Sequence, residues 1–416
     1  MNLYQLELKR VLRTRMTAIL LVISLVLSVL MAYIPITFVG WAELDASGNR
    51  VEYTGLAAIQ KRREHQVAGT ITPEILQDGL AAYQNLFKKY NAKSISDLPL
   101  EEFYAELSPY QVFVNDIKEA FADPDTGIAP GIMGLTADDA AHFYDQLPSR
   151  LASVIRMENS GNPGCAAALE LAQKKFANVQ TPFTYDYGVT PDAIEYETLL
   201  LFLITLLCAI LAAPVFSADA QSGAQDIQLC TKHGGLRLAG IKLAAGLTIT
   251  GTAFLVCGVV WIVVTNTLFG WEGTKTSVQW LFSVTSLLPL TAGQLQWVNL
   301  LGVFALFVAE IAFVLAASVW AKNNLTAMAV SFTSVLLPLI VYVVLPKPLN
   351  AWVEALFPAS GIALSSNLLY RLFGFDFFLL GQHAWFQADV ILALAPVKIV
   401  LFLALAVWGY QRKMMQ

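Results

Sequence analysis

Few residues in this chain are placed to do chemistry. In "LTADDAAHFYDQL", Asp138, His142 and Asp145 recur at three- and four-residue spacing, so one helix would carry all three on a single face. Such a face could ligate a metal, but acidic residues in the first turns of a helix also complement its dipole, and that simpler role suffices. Asp123-Pro-Asp-Thr-Gly127 faintly echoes a calcium loop without its third oxygen ligand or distal Glu. His65, His233 and His383 have no carboxylate or Cys at ligand spacing, and neither Gly-x-Ser-x-Gly nor His-Glu-x-x-His occurs. Gly-x-x-x-x-Gly-Lys-[Ser/Thr] is also absent, so a process driven by nucleotide would need another chain to bind it. The expectation is a chain with no catalytic residues, no metal and no cofactor of its own.

Two charges stand out for their surroundings. Glu310 interrupts "LLGVFALFVAEIAFVLAASVW" and Lys398 interrupts "ILALAPVKIVLFLALAVW". In a membrane such groups are costly and normally face the bundle interior and pair. Glu310 lies about 13 residues past Trp297 and Lys398 about 11 past the start of its run, which puts them at similar depth. They pair, or Lys398 reaches for the interface while Glu310 is protonated or bonded to a Ser or Thr.

The elements that must hold these residues follow from composition. Of 416 residues, 56% are hydrophobic and 14% charged, a balance that polar surface cannot cover in water. Six runs reach the length of about 20 residues that a spanning helix needs: 17–39, 196–216, 237–266, 298–321, 325–345 and 389–410. The first is too long for a secretory signal core and lacks a small-x-small cleavage site, so it reads as a retained span with Trp41 at the far interface. Lys9, Arg10, Arg13, Arg15, Lys232, Arg237, Lys242, Lys322, Arg412 and Lys413 all fall on one side. By the positive-inside rule that side is cytoplasmic, with both termini, and its basic rim suits anionic lipid. Segment 41–193, where Asp and Glu outnumber Lys and Arg, is then extracellular, so the net charge of −5 averages two unlike faces. No basic, aromatic-interleaved patch suggests nucleic acid. With Cys165 alone in 41–193, and Cys208, Cys230 and Cys257 elsewhere, no disulfide is expected in that segment.

The fold class is therefore an all-α polytopic membrane protein of six spans with a large helical extracellular domain between the first and second. Residues 1–40 form an amphipathic elbow and first span, 41–193 the domain, and 194–416 the remaining spans. Apolar spacing predicts helices over 72–90, 98–123, from a Thr136/Asp139 capping box onward, and over 165–176. At roughly 150 residues the domain is large enough for its own core.

Between the second and third spans lies a polar interlude, "AQDIQLCTKHGG". Residues 223–231 suffice for a short helix that Gly234-Gly235 would stop, with Ile227 and Cys230 on one face. Apolar side chains facing the cytoplasm must pack on the bilayer or on a partner. The segment "FSADAQSGAQDIQLCTKHGGLRLAGIKLAAG" resembles the cytoplasmic loop of the type-2 ABC transporter permease family, through Asp219, Gly223-Ala224, Ile227-Gln228-Leu229, Lys232-His233-Gly234 and Lys242. "LYQLELKRVLRTRMTAILL" is similar to that family's N-terminal elbow. Asp219, Ala224 and Gly235 depart from commoner Glu, Thr and Arg.

The resemblance implies a transport subunit in the cell membrane that pairs with a second copy or a paralogue. A separate ATPase, carrying ATP and Mg, would dock on loop 217–236 through Asp219, Gly223, Asp226, Ile227, Leu229, Cys230, Lys232 and His233. Export of a hydrophobic or amphipathic peptide, lipid or drug is the implied activity. Segment 346–388, too interrupted by Pro, Gly and charge to cross, looks like the family's extracellular re-entrant helices, or alternatively an amphipathic helix on the outer leaflet. From a different class, the large domain also fits a membrane sensor or scaffold that binds a ligand or protein outside.

Overall fold

The computed structural model describes residues 3–231, 234–347 and 349–415. Among them are six helices long and apolar enough to cross a membrane: Arg15–Phe38, Pro191–Gln221, Leu236–Phe269, Ala292–Trp320, Asn324–Val344 and Gln387–Met414. The chain is a mainly helical, multi-pass membrane protein. Span ends run past the apolar runs where a cap, not hydropathy, sets the boundary. Thr190 accepts from the Ala193 amide and precedes Pro191, which needs no N–H at that position, so the second span starts a turn and a half before its apolar run.

The second and fourth spans form the centre, with 67% and 61% of their apolar windows buried, against 28%, 28% and 22% for the first, fifth and sixth. Small residues allow the close approach. A Cβ on Gly258 of the third span would sit 2.2 Å from Leu300 of the fourth, and one on Gly246 would sit 3.0 Å from Leu315. Val22, Val343, Val397 and Val400 face outward, as apolar side chains at a lipid boundary do.

The segment between the first two spans adds short strands to the expected helices. Gly40–Leu44 and Arg50–Thr54 pair as an antiparallel hairpin, with Gly40 opposite Thr54. Trp41 lies on that hairpin, 3% exposed, with its ring 4.7 Å from His65 and 5.3 Å from Tyr104. It is buried in the same cluster as Ala32 and Ile36 at the end of the first span, where the hairpin meets the bundle. Helices Pro73–Tyr90 and Cys165–Phe176 occupy the expected places. The helix expected over 98–123 is broken into Leu100–Glu102, a π turn at Phe103–Leu107, a 3₁₀ turn at Ser108–Tyr110 and Gln111–Ala120. Pro109, which lacks an N–H and clashes with the preceding turn, sits at the break. Thr136 and Asp139 do form a capping box. The helix it opens stops at Ala141 and restarts at Phe143, so Asp138, His142 and Asp145 do not share one uninterrupted face. Among the described residues no three His, Cys, Asp or Glu cluster to hold a metal.

The inserted domain does not close its core alone. Phe113, Phe143 and Phe183 pack around Trp280, which comes from the connection between the third and fourth spans; the ring centroids are 5.0, 5.7 and 5.5 Å away. Val284 joins the same cluster. The same connection supplies Glu272 to Arg63 at 2.8 Å, and Gly273, whose backbone meets that of Gly188 so closely that neither position has room for a Cβ. A second attachment joins Lys175 to Asp389 at 2.9 Å and Asn159 Nδ2 to the Phe375 carbonyl at 3.1 Å.

Segment 346–388 forms helices Leu349–Leu356 and Leu368–Phe373 and a hairpin of Phe377–Leu380 with His383–Phe386. Its core is an ion pair between buried Glu354 and Arg371. Arg371 also donates to Gln387, while Glu354 Oε1 accepts from Ser366 Oγ at 3.1 Å and the Gly361 amide at 3.2 Å. Irregular backbone beside apolar helices is tolerable when its polar groups are met in this way.

Candidate functional site

At the end of the bundle opposite the inserted domain, the second span runs to Gln221 and the chain then reverses. Gly223 has φ +71°, a left-handed conformation that costs glycine nothing and a residue with a Cβ more than 1 kcal/mol or so. A short helix, Ala224–Leu229, follows, and Thr231 closes it by bonding the Gln228 carbonyl through both its amide, 3.0 Å, and its hydroxyl, 2.7 Å. Gly234 and Gly235 lead into the third span.

One carboxylate organises this turn. Asp219, on the last turns of the second span, forms an ion pair with Lys242 of the third span. Lys242 is 1% exposed and also donates to Gln228 Oε1 of the short helix at 2.8 Å. From the other side Arg10, on helix Leu3–Leu12, donates to Asp219 Oδ1 at 2.9 Å and to the Val215 carbonyl at 3.2 Å, and pairs with Glu7 at 2.8 Å. Asp219 thus joins the N-terminal helix, two spans and, through Lys242, the short helix. Charge-assisted hydrogen bonds of this kind hold geometry strongly once desolvated.

Further bonds fix the neighbours. Tyr410 Oη donates to the Gly234 carbonyl at 2.9 Å, and Lys413 Nζ to Gln225 Oε1 at 3.4 Å, both from the sixth span. The Asn324 amide donates to Gln221 Oε1 at 3.0 Å, and Ser217 Oγ to Asn324 Oδ1 at 2.8 Å, from the fifth. Ser318 of the fourth accepts from the Phe216 and Ser217 amides, each at 3.1 Å. Every span from the second to the sixth therefore reaches this turn.

The eight residues picked out by resemblance divide by environment. Asp226, Ile227 and Cys230 are exposed, Ile227 at 71%. Leu229 points the other way and packs against the core of the bundle, so it supports the short helix and does not belong to its outer face. Asp219 is buried in the ion pair and positions the turn. Gly223 supplies the reversal, and Lys232 and His233 lie outside the described residues. Arg10, Glu7 and Gln225 complete the arrangement without having been singled out. Arg10 served in the sequence only as a topology marker, although its i,i+3 spacing from Glu7 signals a pair.

The two mid-span charges go to separate partners. Glu310 accepts a hydrogen bond from Ser334 of the fifth span, and Lys398 donates to the Phe357 carbonyl at 2.7 Å and Ser360 Oγ at 2.6 Å. No ion pair joins them among the described residues. Lys398 lies 11 residues into the sixth span, roughly 16 Å along it, so the turn at 357–360 folds well down beside the spans.

Comparison with protein-family models, with curated proteins and with solved structures finds no match for this chain.

Proposed function

We propose that this chain is the membrane-spanning permease subunit of an ATP-driven transporter of the ABC type, moved by a separate ATPase that docks on loop 217–236. The loop and both termini are then cytoplasmic, the inserted domain is extracellular, and the protein works in the cell membrane beside a second copy or a paralogue. The direction is export, of a hydrophobic or amphipathic molecule.

One observation carries this reading. The Ala224–Leu229 helix holds Ile227 at 71% exposure beyond the bundle while Asp219, Lys242 and Gln228 anchor its inner side. A lone exposed Ile is ordinary on a surface. An apolar tip on a short helix bonded to the spans on either side is built to be pushed, because displacement of the tip must move Asp219, Lys242 and the helices that bear them.

The test is capture of partners from native membranes by the tagged full chain, followed by sequencing for Gly-x-x-x-x-Gly-Lys-[Ser/Thr]. Ile227→Asp should cut recovery of that ATPase by at least about tenfold, since a charge desolvated in an apolar groove costs several kcal/mol. Insertion should be unaffected. Wild-type protein that captures no such chain, or undiminished capture by Ile227→Asp, rejects the assignment.

A sensor is the second reading, favoured by a cleft of about 390 Å³ between the inserted domain and the span ends, lined by Trp41, His65, Asp116 and Tyr187 among others. Capture of a kinase, or no capture of an ATPase, would favour it.

A further inference from the structure

Toward the end of the bundle that carries the inserted domain, the second, third and fourth spans enclose a group of polar side chains. Glu197, less than two turns into the second span, is fully buried beside Thr198. The third span contributes Trp261, Thr265 and Asn266, and the fourth Gln296 and Asn299, none more than 1% exposed. Asn266 Nδ2 donates to Gln296 Oε1 at 2.8 Å, and Asn299 Nδ2 to Thr198 Oγ1 at 3.4 Å. As placed, the Asn299 side chain faces the Glu197 carboxyl with its amide N–H as a hydrogen-bond donor.

These bonds leave a deficit. Beyond that amide the Glu197 carboxyl oxygens have no partner, and Asn299 Oδ1, Asn266 Oδ1, Thr265 Oγ1, Trp261 Nε1 and Gln296 Nε2 are buried without one. Among the described residues the group itself holds no compensating charge, and the cation in the adjoining cleft is Lys275 at the rim. The first span has no charged residue after Arg15, the third none after Lys242 at its far end, and the fourth none before Glu310, which bonds Ser334. On its own helix the neighbours are Asp192 and Glu195, both acids. At the rim, Glu272 is paired with Arg63, and Asp389 with Lys175.

A carboxylate here would be an uncompensated charge in an apolar interior, which proteins avoid by neutralising the group. Adding a proton also makes one carboxyl oxygen a donor, and Asn299 Oδ1 is an unpartnered acceptor on the adjoining amide. Thr198 Oγ1 can donate as well as accept, so the amide works in the orientation that turns Oδ1 toward the acid.

We infer that Glu197 is a proton-binding site inside the helix bundle, with the bound proton shared between its carboxyl group and the Asn299 carbonyl. Uptake of one proton changes the site from −1 to neutral. Access is from the rim. A cleft of about 380 Å³ lined by Trp271, Thr274, Lys275 and Trp297 has Asn266 and Gln296 in its wall, and that pair leads inward to Asn299 one turn away. This inference does not rest on docking of an ATPase.

The experiment is infrared spectroscopy of the full chain in lipid vesicles at neutral pH, reading the carbonyl stretch of protonated carboxylic acids. Wild type minus Glu197→Gln should show one such band, which moves in frequency in Asn299→Leu because its hydrogen-bond acceptor is gone. Identical spectra for wild type and Glu197→Gln mean an ionised Glu197 and overturn the proposal, as does a band abolished by sodium or potassium ions at fixed pH, which would make this a metal-cation site. Should Glu197→Gln fail to insert, Glu197→Asp retains an acid with altered reach. A shifted band then supports the assignment and an unshifted one overturns it.

Discussion

The junction of Asp219 with Lys242 and Arg10 makes an asymmetric demand on its members. The Lys242 side chain is 1% exposed and that of Asp219 9%, whereas Arg10 is 37% exposed. Asp219→Asn leaves the Lys242 ammonium buried with neutral acceptors alone, Gln228 Oε1 and the replacement amide oxygen, the situation in which breaking a buried pair costs about 3–5 kcal/mol. Lys242→Met removes the buried cation but leaves Asp219 with Arg10, whose guanidinium keeps water, so the loss should be nearer 1–2 kcal/mol. The double variant removes both buried charges and should cost about as much as Lys242→Met alone, a coupling as large as the Asp219→Asn loss itself, about 3–5 kcal/mol. The assay is reversible denaturant unfolding in mixed micelles, with the four chains of the cycle measured together. Equal losses for the two single variants, or strictly additive ones, would refute the claim that Asp219 answers a buried Lys242.

Further outcomes follow from the inserted domain. Trp280→Ala, which empties a site walled by Phe113, Phe143 and Phe183, should destabilise the domain by about 3–5 kcal/mol; segment 41–193 alone should melt without cooperativity, and a fusion carrying 271–291 should regain it, as read by circular dichroism. Gly273→Ala places a Cβ 2.2 Å from Gly188 Cα and should cost about 1–3 kcal/mol in thermal melts, with no relief from adding Gly188→Ala. Burial, and secondarily Glu119, hold the Asp116 carboxyl well above its ordinary value, so the folded state binds that proton more tightly than the unfolded chain. Its contribution is full below the unfolded pKa and is lost as pH rises through the folded one, and Asp116→Asn should flatten that slope and stabilise the protein at neutral pH.

The six spans were legible because each is a long apolar run, and the helices over 73–90 and 165–176 because apolar spacing marks them. The hairpin at Gly40–Leu44 and Arg50–Thr54 was not, since five-residue strands give little alternation to read. Nothing near Trp280 says that it fills the core of a domain some 90 residues earlier; that contact exists only in three dimensions. At the candidate site, Asp219 and Lys242 were both named by resemblance, but their contact spans 23 residues across a reversal. Ile227 and Leu229 could have been separated, because residues two apart on a helix point in nearly opposite directions. Glu197 escaped notice because it falls at the very start of an apolar run, where an acid looks like an interfacial residue.

The inserted domain is riveted to two separate rim connections, one through Trp280, Glu272 and Gly273 and the other through Asp389 and Phe375. The opposite end of the bundle is gathered on a few polar groups around one turn. The helices therefore resemble tweezers fixed at the handle, and any rigid tilt has its pivot at the rim. The third span is 34 residues long, roughly 50 Å, so a tilt of about 5° carries its far end by roughly 4 Å while hardly disturbing the rivets. The travel is greatest where Ile227 is displayed and least around Glu197.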